Sequence, residues 1–116
     1  MREIKFRAWH KMKRKLVSVV MLSVGNNILG FDDGDAIEYG NMRDFELMQY
    51  TGLKDVNGVE IYEGDILQDP DDGRFCYEVE YDYGRFSCGD NDLIDCLGCN
   101  IVGNVFENPE LLEETE

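Results

Sequence analysis

The sequence predicts a mainly β protein, a small barrel or sandwich of short antiparallel strands. Alternation of apolar and polar residues outweighs any helical periodicity. Turn formers (Asn, Asp, Gly and Pro) recur at roughly 8 to 12 residue intervals along much of the chain. The chain has 116 residues, 43% of them apolar, which suits one packed core and argues against wholesale disorder.

Ile4, Phe6 and Ala8 alternate with Glu3, Lys5 and Arg7, the pattern of a half-buried strand. Residues 16–24 are rich in β-branched side chains and are expected to pair back across the polar residues 11–15 as a hairpin. Residues 31–43 are mostly Asp, Gly and other turn formers, and read as a long surface loop. Residues 45–53 form the next strand. Asn57-Gly58 then supplies a tight hairpin signal, read as a type I′ turn with positive φ at both central positions.

A strand follows at residues 59–62, and Gly64-Asp65 bends the chain into residues 66–68. The run Asp69-Pro70-Asp71-Asp72-Gly73 is a polar turn. Phe75, Tyr77, Val79 and Tyr81 then line one strand face, with Glu78, Glu80 and Asp82 on the other. Gly84 permits a return into residues 85–88, residues 90–97 suit one helical turn or a loop, and residues 101–106 form a last strand. Asn108-Pro109-Glu110 reads as a helix start: a capping residue, proline at the first helical position, then an acid in the first turn. No repeat or low-complexity linker divides the chain. It reads as a single domain over residues 1–116, with a hairpin and loop in 1–44 and the barrel in 45–116.

The formal net charge is −14, unevenly distributed. Arg2, Lys5, Arg7, Lys11, Lys13, Arg14 and Lys15 are seven of the eleven basic residues, set against Glu3 alone; residues 16–116 carry four basic and twenty-four acidic residues. Such a body repels nucleic-acid phosphates, so direct nucleic-acid binding is disfavoured. The basic start is expected to pair with the chain's own carboxylates. The apolar stretch 16–24 is interrupted by Ser18 and Ser23 and falls short of the about 20 residues that a membrane-spanning helix needs. With no cleavage site after the basic start, a cytoplasmic protein without a membrane partner is expected.

Few residues stand in a pattern that carries chemistry. His10 sits among lysines at a predicted turn and lacks the carboxylate and nucleophile spacing of a general base, so it reads as an exposed turn residue. Glu60, Glu63 and Asp65 cluster at a bend, but a carboxylate pair has no short signature in a chain with 25 acids. Asp32, Asp33 and Asp35 around Gly34 resemble a calcium loop in composition only, and read as a solvated loop. No nucleotide-binding glycine motif occurs. Cys76, Cys88, Cys96 and Cys99 are the metal candidates: four thiolates suit zinc, and Cys96-Leu97-Gly98-Cys99 has knuckle spacing. A zinc ribbon supplies two such pairs, however, whereas Cys76 and Cys88 stand singly on separate strands. They read as free, small core or surface thiols, and neither a metal site, a cofactor nor a catalytic residue is assigned.

Three blocks go beyond general pattern: IKFRAWHKMKRKLVSV (residues 4–19), LMQYTGLKDVNGVEIYEGDIL (47–67) and IVGNVFENPELL (101–112). In this order they closely resemble the YopX family of phage and prophage proteins. The resemblance implies a C-terminal SH3-type barrel whose first strands are the hairpin and bend above, and expression inside a bacterial host. It brings no agreed biochemical activity and no catalytic residue. The sequence departs from the family pattern at His10, where an acid often follows Trp9, and the four cysteines are not a family hallmark. Gly52, Gly58 and Gly64 fall where turns require no Cβ, Asp65 is expected to accept a backbone N–H, and Tyr50, Tyr62, Phe75 and Phe86 are expected to fill or rim the barrel.

The resulting expectation is a non-enzymatic phage accessory module that binds a host or phage protein through a sheet edge or barrel rim, with homo-oligomerisation open. Two alternatives are an acidic DNA mimic acting on a nucleic-acid-binding host protein, and a nucleic-acid binder using the basic hairpin and Trp9. A carboxylate-pair hydrolase is a foil that requires a deep cleft around Glu60, Glu63 or Asp65.

Overall fold

The structure, a computed structural model, describes residues 3–82, 84–89 and 91–113, without the side chains of residues 72–75, 82, 95 and 113. The chain is mainly β, in antiparallel sheets, with one short helix. It forms two compact units, one of residues 3–49 and one from Tyr50 onward.

In the first unit, β1 (Phe6–His10) and β2 (Lys15–Ser23) make the expected hairpin, with Ala8 opposite Val17 and Trp9 opposite Leu16. Arg14, in the left-handed region at φ 55°, closes its turn by donating to the His10 carbonyl at 2.7 Å. β2 continues through a bulge between Val19 and Met21 and pairs with β3 (Ile28–Asp32), which pairs with β4 (Ile37–Asn41). The segment 31–43 is therefore not the long loop expected from its composition. Only the turn at residues 33–36 is loop, and a short 3₁₀ turn (Met42–Asp44) leads into β5. The misreading has a physical cause: Gly40 belongs to a strand, where a Cβ would come within 2.9 Å of the Phe45 ring.

β5 (Phe45–Lys54) pairs through its first half with β1, with Ala8 opposite Leu47 and His10 opposite Phe45. The strand order is β4-β3-β2-β1-β5. Ala8, Val17, Leu29, Phe31 and Phe45 form the core on one face, with Val19, Leu22 and Met42 packed against them. The alternation read at Phe6 and Ala8 is thus a true core signal, although Ile4 lies outside the strand and is exposed.

In the second unit, the remainder of β5 pairs with β6 (Glu60–Tyr62). The connecting turn is not type I′, because Gly58 has positive φ (83°) and Asn57 does not. Gly58 donates to the Asp55 carbonyl at 3.0 Å, while the Asp55 carboxylate accepts from Asn57 and Val59 backbone N–H at 2.8 and 2.9 Å. That side-chain capture favours an ordinary type I turn followed by a left-handed glycine. β7 (Asp65–Asp69), β8 (Asp72–Asp82), β9 (Arg85–Cys88) and β10 (Asn91–Asp92) form a meander. A 3₁₀ turn (Leu93–Cys96) then delivers β11 (Asn100–Asn104) to the other side of β7, giving the order β10-β9-β8-β7-β11.

The second core comprises Ile61, Leu67, Val79, Cys88, Leu93, Cys96 and Cys99. Tyr77 and Phe86 pack on it, and Tyr50 is buried beside Tyr62 at 5.4 Å between ring centroids. Tyr81, which shares a strand face with Tyr77 and Val79, is 55% exposed, with its ring edge against Phe86. Phe75 has its side chain outside the described residues. Among the described residues β10 and β11 do not pair with each other, so no closed barrel is present. The expected short helix, α1 (Glu110–Glu113), begins one residue later than expected, with Pro109 before it rather than at its first position. Its expected cap, Asn108, instead turns its side-chain oxygen back to the Asn104 N–H at 3.2 Å.

Candidate functional site

Cross-strand register defines a surface on the first unit. On β3, Leu29 and Phe31 enter the core, so Ile28, Gly30 and Asp32 face outward. Tyr39 lies opposite Gly30, and Met21 opposite Gly30 on the other side. A Cβ on Gly30 would stand 3.1 Å from the Tyr39 ring and 3.3 Å from the Met21 Cβ, so the glycine is what lets the tyrosine lie across the sheet. Ile37 shares this outward face by alternation along β4, and Val20 is the extra residue of the β2 bulge.

These side chains are exposed: Tyr39 66%, Val20 52%, Ile37 47%, Met21 39% and Ile28 39%. Polar residues bound the patch in register, Ser18 and Asp32 toward one end and Ser23 and Asn41 toward the other. A clustered apolar surface with a polar rim is the kind of patch that contacts a protein, a ligand or a membrane, whereas singly scattered apolar residues need no explanation. β4 is also the terminal strand of its sheet among the described residues, so one row of its backbone groups is unused by the ladder.

The basic hairpin turn lies next to the β3–β4 turn and is matched to it. Lys13 Nζ is 2.9 Å from Asp33 Oδ2 and 3.6 Å from Glu38 Oε1, and Lys15 pairs with the other Asp33 oxygen. Lys11 Nζ reaches Glu46 at 3.3 Å and the Arg43 carbonyl at 3.0 Å. The Lys15 and Lys13 ammonium groups hold the Asp33 carboxyl well below its ordinary range, and the Asp33 hydrogen bond raises Lys13. Asp33 is therefore a clamp between two turns rather than a solvated loop residue. Asp32, beside it, accepts the Gly34 N–H at 2.8 Å. A shallow groove runs between residues 15–18 and 32–34.

His10 is not an exposed turn residue either. It ends β1 with its ring 4.7 Å from Phe45 and 5.5 Å from Phe31, and its Nδ1 accepts the Lys13 N–H at 3.3 Å. The sequence placed it among lysines; the strand pairing with Phe45 carries it to the aromatic core edge.

The YopX protein family matches residues 5–113 of the chain. Protein EF1440 from Enterococcus faecalis has a solved structure similar to this one at TM-score 0.77 and 32% identity, covering 97% of this chain and 99% of that one. The chain belongs to the YopX family. Protein yopX from Bacillus subtilis shares the fold at TM-score 0.61 and 22% identity, with the same coverage. No curated protein matches the chain.

The residues that carried the YopX resemblance prove to be turn and core elements. Gly52, Gly58 and Gly64 all have positive φ, between 83° and 87°. Asp65 is 2% exposed and accepts the Tyr62 N–H at 2.8 Å, the backbone role expected of it. Glu60 is in β6 opposite Lys54, so the three-acid cluster is divided between a strand pair and a buried turn support.

Cys88, Cys96 and Cys99 come together in the second core, whereas Cys76 lies outside that cluster and receives the Gln68 side-chain N–H at 3.6 Å. All four are free thiols. Among the described residues no group of three His, Cys, Asp or Glu side chains is placed to hold a metal ion. Burial pushes the Cys88 and Cys99 thiols up, aided by the neighbouring Cys96 sulfur, which opposes formation of the free thiolates.

The unit boundary also relocates the charge. Residues 3–49 hold seven basic and seven acidic residues, while residues 50–116 hold three basic and eighteen acidic ones, a balance of −15. The sequence suggested a basic hairpin leading into an acidic body from residue 16. In the folded chain the first unit is neutral and the second carries the acidity. What the sequence missed, the Tyr39 surface, had one available signal: an isolated Ile-Glu-Tyr alternation inside the Asp- and Gly-rich stretch.

Among the described residues, no helix is long and apolar enough to cross a membrane.

Proposed function

We propose that this YopX chain is a non-enzymatic protein-binding module that engages a host or phage protein through the outer face and terminal strand of its first unit. The observation carrying this is the Tyr39 ring laid over Gly30, flanked by exposed Met21, Ile28 and Ile37, on the last strand of a sheet. A neutral unit suits the role, because it brings no net charge of its own to the contact. The SH3-type arrangement of the second unit draws support from its four-strand meander, 3₁₀ turn and return of β11 beside β7. The free thiols fit a reducing, cytoplasmic setting. The test is capture from extract of phage-infected bacteria with wild type and Tyr39→Glu as parallel baits. Enrichment of a protein by wild type and its loss with Tyr39→Glu supports the reading; identical profiles overturn it.

A second reading is favoured by the concentration of charge: the second unit acts as a DNA mimic toward a cationic, nucleic-acid-binding partner. Competition against DNA for such a host protein, lost at high salt, tests it. Direct nucleic-acid binding by the basic turn is weakened by the carboxylate partners of Lys11, Lys13 and Lys15.

A further inference from the structure

We infer that the partner docking on the terminal strand β4 is a second copy of this chain, joined by antiparallel β4–β4 pairing across a two-fold axis at Tyr39. The inference rests on the protein-binding reading of that surface and names its occupant.

Self-pairing is decided by what each residue of the strand would face. Full overlap of two antiparallel copies of Ile37–Asn41 sets Tyr39 opposite Tyr39, Glu38 opposite Gly40 and Ile37 opposite Asn41. No charge stands opposite a like charge, which is the usual obstacle to strand self-association. The one acid, Glu38, already has Lys13 at 3.6 Å. Tyr39 meets Tyr39 on the outward face, where each ring already lies over Gly30, and an aromatic cross-strand pair is among the favourable ones. The edge lacks the features that block such pairing: no proline, no lysine and no bulge in β4.

Charge separates this occupant from a cationic or anionic one. Two whole chains carry −14 each and repel, yet the unit that would touch its copy is neutral, and the −15 belongs to the other unit. Around Tyr39 the outward residues are Met21, Ile28 and Ile37, with Ser18, Ser23 and Asn41 at the rim and Asp32 as the charged one among them, so the face offers a strongly charged partner few ionic contacts. A two-fold contact is also the commonest closed arrangement, and it uses β4 of both copies. One five-residue strand pair buries less than the roughly 1,600 Å² of a standard stable interface, so association in the micromolar range is expected.

Sedimentation velocity of the wild-type chain from about 1 to 300 μM is expected to show a concentration-dependent shift to dimer. Tyr39→Glu sets two carboxylates against each other on the axis and is expected to remain monomeric, as is Tyr39→Lys alone. An equimolar mixture of the two is expected to recover dimer, because each glutamate then faces a lysine. In a Cys76→Ser background, Tyr39→Cys is expected to form an intermolecular disulfide under oxidised glutathione at least tenfold faster than Ile37→Cys, since directly opposed residues come within about 4.5–5.5 Å. A wild type that is monomeric throughout, a mixture that fails to recover dimer, or equal cross-linking at both positions overturns the inference. If the chain is monomeric while Tyr39→Glu still loses a captured host protein, the second-copy assignment falls and the binding surface stands. If neither changes, both fall.

Discussion

The Asp55 carboxylate accepts the backbone N–H of Ile101 at 3.0 Å, joining a hairpin turn to a strand 46 residues later. Its other oxygen holds the Asn57 and Val59 N–H groups at 2.8 and 2.9 Å. Nearby, Val56 donates to the Cys99 carbonyl at 3.1 Å. One buried acid thus organises the β5–β6 turn and the start of β11 together.

Asp55→Ala is expected to cost about 3 kcal/mol, because it leaves three backbone donors without their acceptor in a largely buried place. Burial alone would raise this carboxyl, but the N–H groups of Ile101, Val59 and Asn57 outweigh it and leave its pKa below the ordinary value. A depressed folded pKa means that the contribution is complete above the unfolded value of about 3.9 and is lost as pH falls through the folded one. Urea denaturation of wild type and Asp55→Ala at pH 7 and at pH 3 checks both points; the difference between them must shrink at low pH.

Asp33→Asn is expected to release the clamp between the first two turns. Lys13 and Lys15 lose their shared carboxylate, and the loss is greater at low salt because these groups are near the surface. Asp33 also titrates below the ordinary carboxylate range, so its contribution persists to more acidic pH than that of an unpaired aspartate. Denaturation midpoints at 0.02 and 0.5 M salt, where the Debye length is about 20 and about 4 Å, must converge between wild type and variant as salt rises.

Gly40→Ala is expected to destabilise by about 1–3 kcal/mol, since its Cβ meets the buried Phe45 ring at 2.9 Å. Gly98→Ala, with nothing within 4 Å, is expected to stay within about 0.5 kcal/mol of wild type. Thermal unfolding of the pair distinguishes close approach from a general cost of replacing glycine.

The native thiols are expected to react unequally. Cys76 is only half-buried, whereas Cys88, Cys96 and Cys99 sit in the second core, where burial keeps Cys88 and Cys99 protonated. Iodoacetamide at pH 7.5 followed by peptide mass spectrometry is expected to label Cys76 first and the other three at the rate of unfolding. Prior labelling of Cys88 in the folded chain would contradict the packing.

The β class, the first hairpin, the glycines at 52, 58 and 64, the backbone role of Asp65 and the short final helix were all legible in the sequence. Each depends on local chemistry: period-two alternation, positive φ at glycine, a carboxylate beside a turn, proline near a helix start. Local chemistry misled where a distant residue changed what it meant. Gly40 resembles a loop glycine until Phe45 is placed over it, and Asn57-Gly58 resembles a type I′ turn until Asp55 captures the neighbouring N–H groups.

Only tertiary structure decided the candidate site. The residues of the Tyr39 surface come from β2, β3 and β4, and no spacing along the chain reveals which outward side chains share a register. The same holds for charge and thiols. The sequence by itself determined that the chain is acidic with a basic start and four cysteines; folding assigned a neutral first unit, an acidic second one, and three thiols to a core. Composition is additive along the chain, but a surface is made of neighbours in space.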